Sequence, residues 1–172
     1  MLWGISALAL ALLLYGIWLY NRLVHDRNTV LAAWSDIEVQ LKRRHDLIPK
    51  LVDAVKAYAG YEQATLTQVT ELRHAAEASR QPGESARAEG LLGRALEGLF
   101  ALAENYPDLK ASHQFLDLQN EISTVEQDIQ YARRYYNGAV KALNVRVESF
   151  PSNIVAGLFR FRQADYFDWP ET

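Results

Sequence analysis

From Leu2 to Tyr20 the chain reads LWGISALALALLLYGIWLY, without a single charged side chain. A helix needs about 20 apolar residues to cross the hydrocarbon core of a bilayer, and this run has that length. Trp3 near one end, and Trp18 and Tyr20 at the other, stand where amphipathic rings favour the headgroup layer. A cleaved signal peptide is the competing reading and fits less well. No Lys or Arg precedes the run, the run is long for a signal h-region, and Tyr20 is followed by Asn21-Arg22 rather than a small-x-small cleavage site. The sequence therefore predicts a single-pass anchor over residues 1–20, which contacts the lipid bilayer through residues 2–20. Arg22 and Arg27 follow closely, so the positive-inside rule puts the rest of the chain on the cytoplasmic side of the cell (inner) membrane.

About 150 residues follow the anchor, enough to bury a real core. The formal net charge of -3 gives the whole chain no pull towards nucleic acid, which is not an expected partner. The absence of cysteine excludes disulfides, thiolate catalysis, cysteine-ligated zinc and iron–sulfur clusters.

Apolar residues then recur at Val30, Trp34, Ile37, Leu41, Ile48, Leu51, Val55 and Tyr58, a heptad seam with one position missing. The missing position is Arg44. Phe115, Leu118, Ile122, Val125, Ile129, Ala132, Tyr136, Ala139 and Leu143 step by three and four without a break. Two such segments can line one another as antiparallel helices. Between them, 61–79 and 86–104 predict two shorter helices, with Leu66, Val69 and Ala76 facing inward on one and Leu92, Ala95, Leu99 and Ala103 on the other. The strings Arg80-Gln81-Pro82-Gly83 and Asn105-Tyr106-Pro107-Asp108 are turn signals, Gly60 is the candidate break after the first seam, and Ser112 could cap the helix that follows it. Pro49 should kink its helix without ending it, because the period resumes beyond it. The predicted fold is all-α: an N-terminal transmembrane helix, then an antiparallel up-and-down bundle over 21–149 of about four helices, two long and two short. An aromatic-rich segment over 150–172 completes the chain.

Lys42-Arg43-Arg44-His45 is the densest cation cluster. Consecutive residues cannot share one helix face, so Lys42 and Arg43 are read as solvated and as a candidate partner surface. The seam turns Arg44 inward, where a guanidinium needs acidic partners; Glu121, Glu126 and Asp128 are the candidates. The bland reading is a buried polar residue that fixes helix register. Glu71-Leu72-Arg73-His74 is a lone Glu-x-x-His, whereas carboxylate-bridged metal bundles use the motif twice with further glutamates. It is read as an exposed pair; a metal-dependent enzyme centred on Glu71 and His74 is the weakest of the functional alternatives. No catalytic, cofactor-binding or metal-ligating residue is assigned, and no cofactor is expected. In the tail, Phe159, Arg160, Phe161 and Arg162 form a second candidate partner surface, among Ile154, Val155, Leu158, Tyr166, Phe167 and Trp169. Two readings of this segment stay open: an interfacial segment at the membrane, or a cap folded onto the open end of the bundle.

Particular strings then carry a resemblance: Tyr20-Asn21-x-Leu23-Val24, Arg27-Asn28, Ala33-Trp34-Ser35, Val39-Gln40-Leu41-Lys42-Arg43-Arg44 and Asp46-Leu47-Ile48-Pro49. They continue with Ala103-Glu104-x-Tyr106-Pro107-Asp108-Leu109-Lys110-Ala111, Ala132-Arg133-x-Tyr135-Tyr136-Asn137, Phe150-Pro151-Ser152-Asn153 and Tyr166-Phe167. Together, and in this order, they resemble the LemA family over nearly the whole chain. The resemblance implies a membrane-anchored antiparallel helical bundle, mostly bacterial, with no established catalytic activity. It further implies association with other membrane proteins, including TPM-domain proteins and membrane metallopeptidases, and one branch is similar to proteins of magnetosome membranes. The expected function is thus a non-catalytic interaction, scaffold or accessory module. A membrane-shaping or self-assembling protein, a homo-oligomer, is the alternative.

Overall fold

The described residues of a computed structural model, 2–168, contain helices and no strand. In chain order they are α1 (Leu2–Lys56), α2 (Gln63–Ala78), α3 (Pro82–Ala103), α4 (Pro107–Lys110), α5 (His113–Glu148) and α6 (Ser152–Leu158). Prolines punctuate this order. Pro82 and Pro107 stand in the first turns of α3 and α4, and Pro151 precedes α6. There a missing N–H costs nothing, because the first turn has no acceptor for it. Pro49 is the exception and sits inside α1, which runs on to Lys56. The break after α1 contains Gly60, where a Cβ would lie 3.2 Å from the Lys56 carbonyl oxygen. The two turn strings hold more helix than the sequence suggested. Pro82 already starts α3, and the second string opens the one-turn α4. The tail contributes α6, which its short length hid from a periodicity argument. Trp169 lies outside the described residues.

The chain divides into two units. The first comprises residues 1–35 and 135–165. Along its part of α1 every side chain from Trp3 to Tyr15 is exposed, and burial begins at Leu19. Leu19, Leu23, Asp26, Val30 and Ala33 then form one buried row at helical spacing. Tyr136, Val140, Leu143 and Asn144 are the buried residues of α5 in this unit, and Ser152 and Ala156 those of α6. The Trp34 ring lies 5.5 Å from that of Tyr136, while the earlier Asp26 accepts from Arg146 Nε at 2.5 Å. Earlier residues of α1 thus meet later residues of α5, so the two run antiparallel here. Trp34 itself is only half-buried; its small neighbour Ala33 takes the innermost position.

The second unit comprises residues 36–134 and 166–172. Its core draws on Ile37, Leu41, Ile48, Leu51 and Val55 of α1, and on Ile122, Val125 and Ile129 of α5. The α2–α3 hairpin adds Leu66, Val69, Ala76, Leu92, Leu99 and Ala103. Leu47 and Ala54 are buried as well, so α1 is covered on more than one heptad stripe. Tyr58, expected at the end of the seam, is exposed instead. It lies past Lys56, where α1 has ended and the helical period no longer sets its direction.

Candidate functional site

The second unit buries one polar cluster. Arg44 is 1% exposed, and its neighbour His45 is buried beside it. Both reach Glu89 on α3, whose side chain is wholly buried. Arg44 Nη2 donates to Glu89 Oε2 and, at 3.3 Å, to the Glu89 backbone carbonyl. His45 Nε2 lies 2.8 Å from Glu89 Oε1. Arg44 Nη1 donates to Glu126 of α5 at 2.5 Å. From α2, Arg73 Nε donates to the His45 carbonyl at 2.8 Å. Four helices are thereby tied to one guanidinium–carboxylate centre.

The electrostatics follow from this geometry. Burial opposes the charge on Arg44, but Glu89 and Glu126 outweigh it and hold the guanidinium pKa above its ordinary value. Burial likewise pushes the Glu89 carboxyl up, and His45 and Arg44 together overcome that and leave it below the ordinary carboxylate value. Such a centre holds two charges in place in a dry environment.

Of the three acids the sequence offered Arg44, the structure brings only Glu126 to it. Asp128 lies 3.6 Å from Arg43 instead, and Glu121 is exposed at an open surface cleft with Lys50. Glu89 was not among those candidates. The inner row of α3 would have flagged it: stepping back from Leu99, Leu96 and Leu92 by the helical period lands on Glu89.

The candidate partner residues are less isolated than a charge count suggests. Lys42 is paired with Asp46 at 2.7 Å, and Arg43 with Asp128. Glu71 and His74 do not converge: His74 is exposed, and its Nδ1 lies 3.6 Å from Glu77. Among the described residues no group of three His, Asp or Glu is placed to hold a metal ion. A cleft of about 340 Å³ lined by Glu97, Phe100, Glu104, Lys110, Phe115 and Gln119 is open to solvent.

In the first unit the tail residues gather at the end of the apolar run. The Phe159 and Phe161 rings lie 4.7 and 5.8 Å from that of Tyr20, and the Arg27 guanidinium sits 5.3 Å from the Phe161 ring. The segment after α6 is held by polar clamps. Asn144 Nδ2 donates to the Ala164 carbonyl at 2.9 Å and Asn144 Oδ1 accepts from the Ala164 N–H at 2.8 Å. Tyr136 donates to the Asp165 carbonyl at 2.8 Å. Burial, with Asp165 nearby, pushes the Tyr136 phenol up to about 12. Arg160 and Arg162 are exposed.

The LemA family model matches residues 33–172. The chain belongs to the LemA family. Protein LemA of Metamycoplasma hominis is 32% identical over 140 residues, a span of 79% of this chain and 63% of that protein. Magnetosome protein MamQ 2 of Paramagnetospirillum magneticum is 24% identical over 174 residues, covering 86% of this chain and 64% of that protein. Magnetosome protein MamQ of Magnetospirillum gryphiswaldense is 21% identical over the same share of each. The chain thus spans under two thirds of the length of these relatives. With an N-terminal helix long and apolar enough to cross a bilayer, this LemA-family chain is a membrane-associated helical protein.

Proposed function

We propose that this LemA-family chain is a non-catalytic accessory or scaffold module, held by one span beside other membrane proteins, with its helical bundle on the cytoplasmic side. One observation carries the reading. α1 is unbroken from the exposed apolar run to the buried residues that build the bundle, so the polypeptide that anchors the chain is also its longest core element. Tethering confines encounters to two dimensions and raises the local concentration of a membrane partner. Arg22 and Arg27, directly after the run, favour the cytoplasmic side for that flank. Family resemblance supplies the candidate classes of partner: TPM-domain proteins and membrane metallopeptidases.

In-cell crosslinking of the full-length chain, followed by affinity purification and mass spectrometry, tests the proposal. Reproducible, stoichiometric recovery of a different membrane protein is the expected result. Recovery of this chain alone would overturn it in favour of a self-assembling or membrane-shaping role.

A further inference from the structure

α6 buries Ser152 and Ala156 and turns its other side outward. That side is apolar: Ile154 is 63% exposed and Leu158 75%, and Phe150 just before the helix is 80% exposed. Ile154 and Leu158 are one helical turn apart and so share a face. Phe159, next in line, is still 55% exposed although its ring packs on Tyr20. A water-facing surface seldom gathers so many large apolar side chains without a use.

The position of this face identifies what covers it. Tyr20 closes the uncharged run, and a run of this length places its end at the boundary between hydrocarbon and headgroups. Phe159 and Phe161 touch Tyr20, so α6 and the residues after it sit at that boundary and not far out in water. Arg22, Arg27, Arg160 and Arg162 are exposed there beside the exposed acids Glu148 and Asp165, while Asp26 is buried and engaged by Arg146. An apolar face bordered by exposed charged side chains suits a lipid headgroup layer.

We propose that the face formed by Phe150, Ile154 and Leu158 inserts into the headgroup layer of the bilayer crossed by residues 2–20, so that the chain meets its membrane twice. The inference rests on that span crossing the bilayer. It makes α6 a stabiliser that fixes how the first unit stands on the membrane, where a single helix would leave it free to tilt.

The chain has no cysteine, so single-cysteine variants can be spin-labelled without background. Ile154→Cys and Leu158→Cys report on the face, Leu12→Cys on the span, and Arg87→Cys on the exposed surface of α3. Each full-length variant is reconstituted in phosphatidylcholine–phosphatidylglycerol vesicles. Collision of the label with oxygen is then compared with collision with a water-soluble nickel chelate. A several-fold higher oxygen-to-nickel ratio at Ile154 and Leu158 than at Arg87, at a shallower depth than Leu12, is the expected result. Ratios like that of Arg87, with Leu12 in lipid, overturn the inference and leave the span intact. Protection from both reagents overturns it in favour of a protein surface, such as a second copy. Nickel access at Leu12 removes the span and this inference together.

Discussion

Arg44 and Glu89 meet twice within the unit built by residues 36–134: the guanidinium donates both to the Glu89 carboxylate and to the Glu89 backbone carbonyl. Both side chains are out of water. Removing Glu89 leaves the buried guanidinium with only the partly exposed Glu126 to offset its lost hydration. Glu89→Leu should therefore destabilise the folded chain by about 3–5 kcal/mol. Replacing both, as Arg44→Met with Glu89→Leu, should restore most of that, because Glu126 is one-third exposed and can be solvated alone. Thermal unfolding of the full-length chain in detergent, followed by far-UV circular dichroism, measures both. A double variant no more stable than Glu89→Leu would show that the pair contributes more than mutual neutralisation.

The same carboxylate sets an acid limit. Its folded-state pKa lies below the ordinary value of 4.5 that the unfolded chain would show, through His45 and Arg44 acting against burial. Its contribution is then complete above about pH 4.5 and is lost as pH falls through the lower, folded value. The unfolding temperature should hold between neutrality and that point and drop below it. Glu89→Gln removes the titrating group and should flatten this part of the profile relative to wild type. An unchanged acid slope in Glu89→Gln would place the acid sensitivity in other carboxylates.

Lys42 and Arg43 are adjacent exposed basic side chains of α1, and each already stands beside an acid. Exposed pairs of this kind contribute about 0–1 kcal/mol. Lys42→Glu with Arg43→Glu should accordingly leave the unfolding temperature within a few degrees of wild type. If this face meets a membrane partner, the same variant should lower crosslinked recovery of that partner several-fold. Normal folding with undiminished recovery would remove these two residues from the interface.

The apolar N-terminal helix, the two long helices and the inward direction of Arg44 were legible because each rests on a long pattern: an uncharged run, or a period sustained over many turns. Glu126 was legible for the same reason, since it sits on the regular α5. Glu89 lies on the inner row of α3, which spacing can reveal, but its pairing with Arg44 was not legible, because pairing between α1 and α3 depends on tertiary register that no local spacing encodes. Trp34 shows the limit of a heptad reading. The seam gave the right face, but between adjacent Ala33 and Trp34 packing placed the smaller side chain innermost. The course of the tail was beyond any periodicity argument. It depends on Asn144 and Tyr136, whose partners are backbone groups of Ala164 and Asp165 and leave no trace in side-chain pattern.

Those clamps make the tail's attachment separable from the rest of the fold. Asn144→Ala removes both hydrogen bonds to Ala164, and Tyr136→Phe removes the one to Asp165. At about 1 kcal/mol for each hydrogen bond, the two substitutions together should cost about 3 kcal/mol. The loss should fall on docking of the tail, because the ring of Tyr136 that packs on Trp34 is kept. Arg160 and Arg162 make the tail a tryptic substrate whenever it lifts away. Limited trypsinolysis of the full-length chain in detergent should therefore cut the double variant at these arginines at least tenfold faster than wild type, while far-UV ellipticity stays within the loss of one short helix. Equal cleavage rates would mean that Phe159 and Phe161 against Tyr20 hold the tail without the polar clamps. A global loss of ellipticity would mean that tail docking and helix packing are one cooperative event.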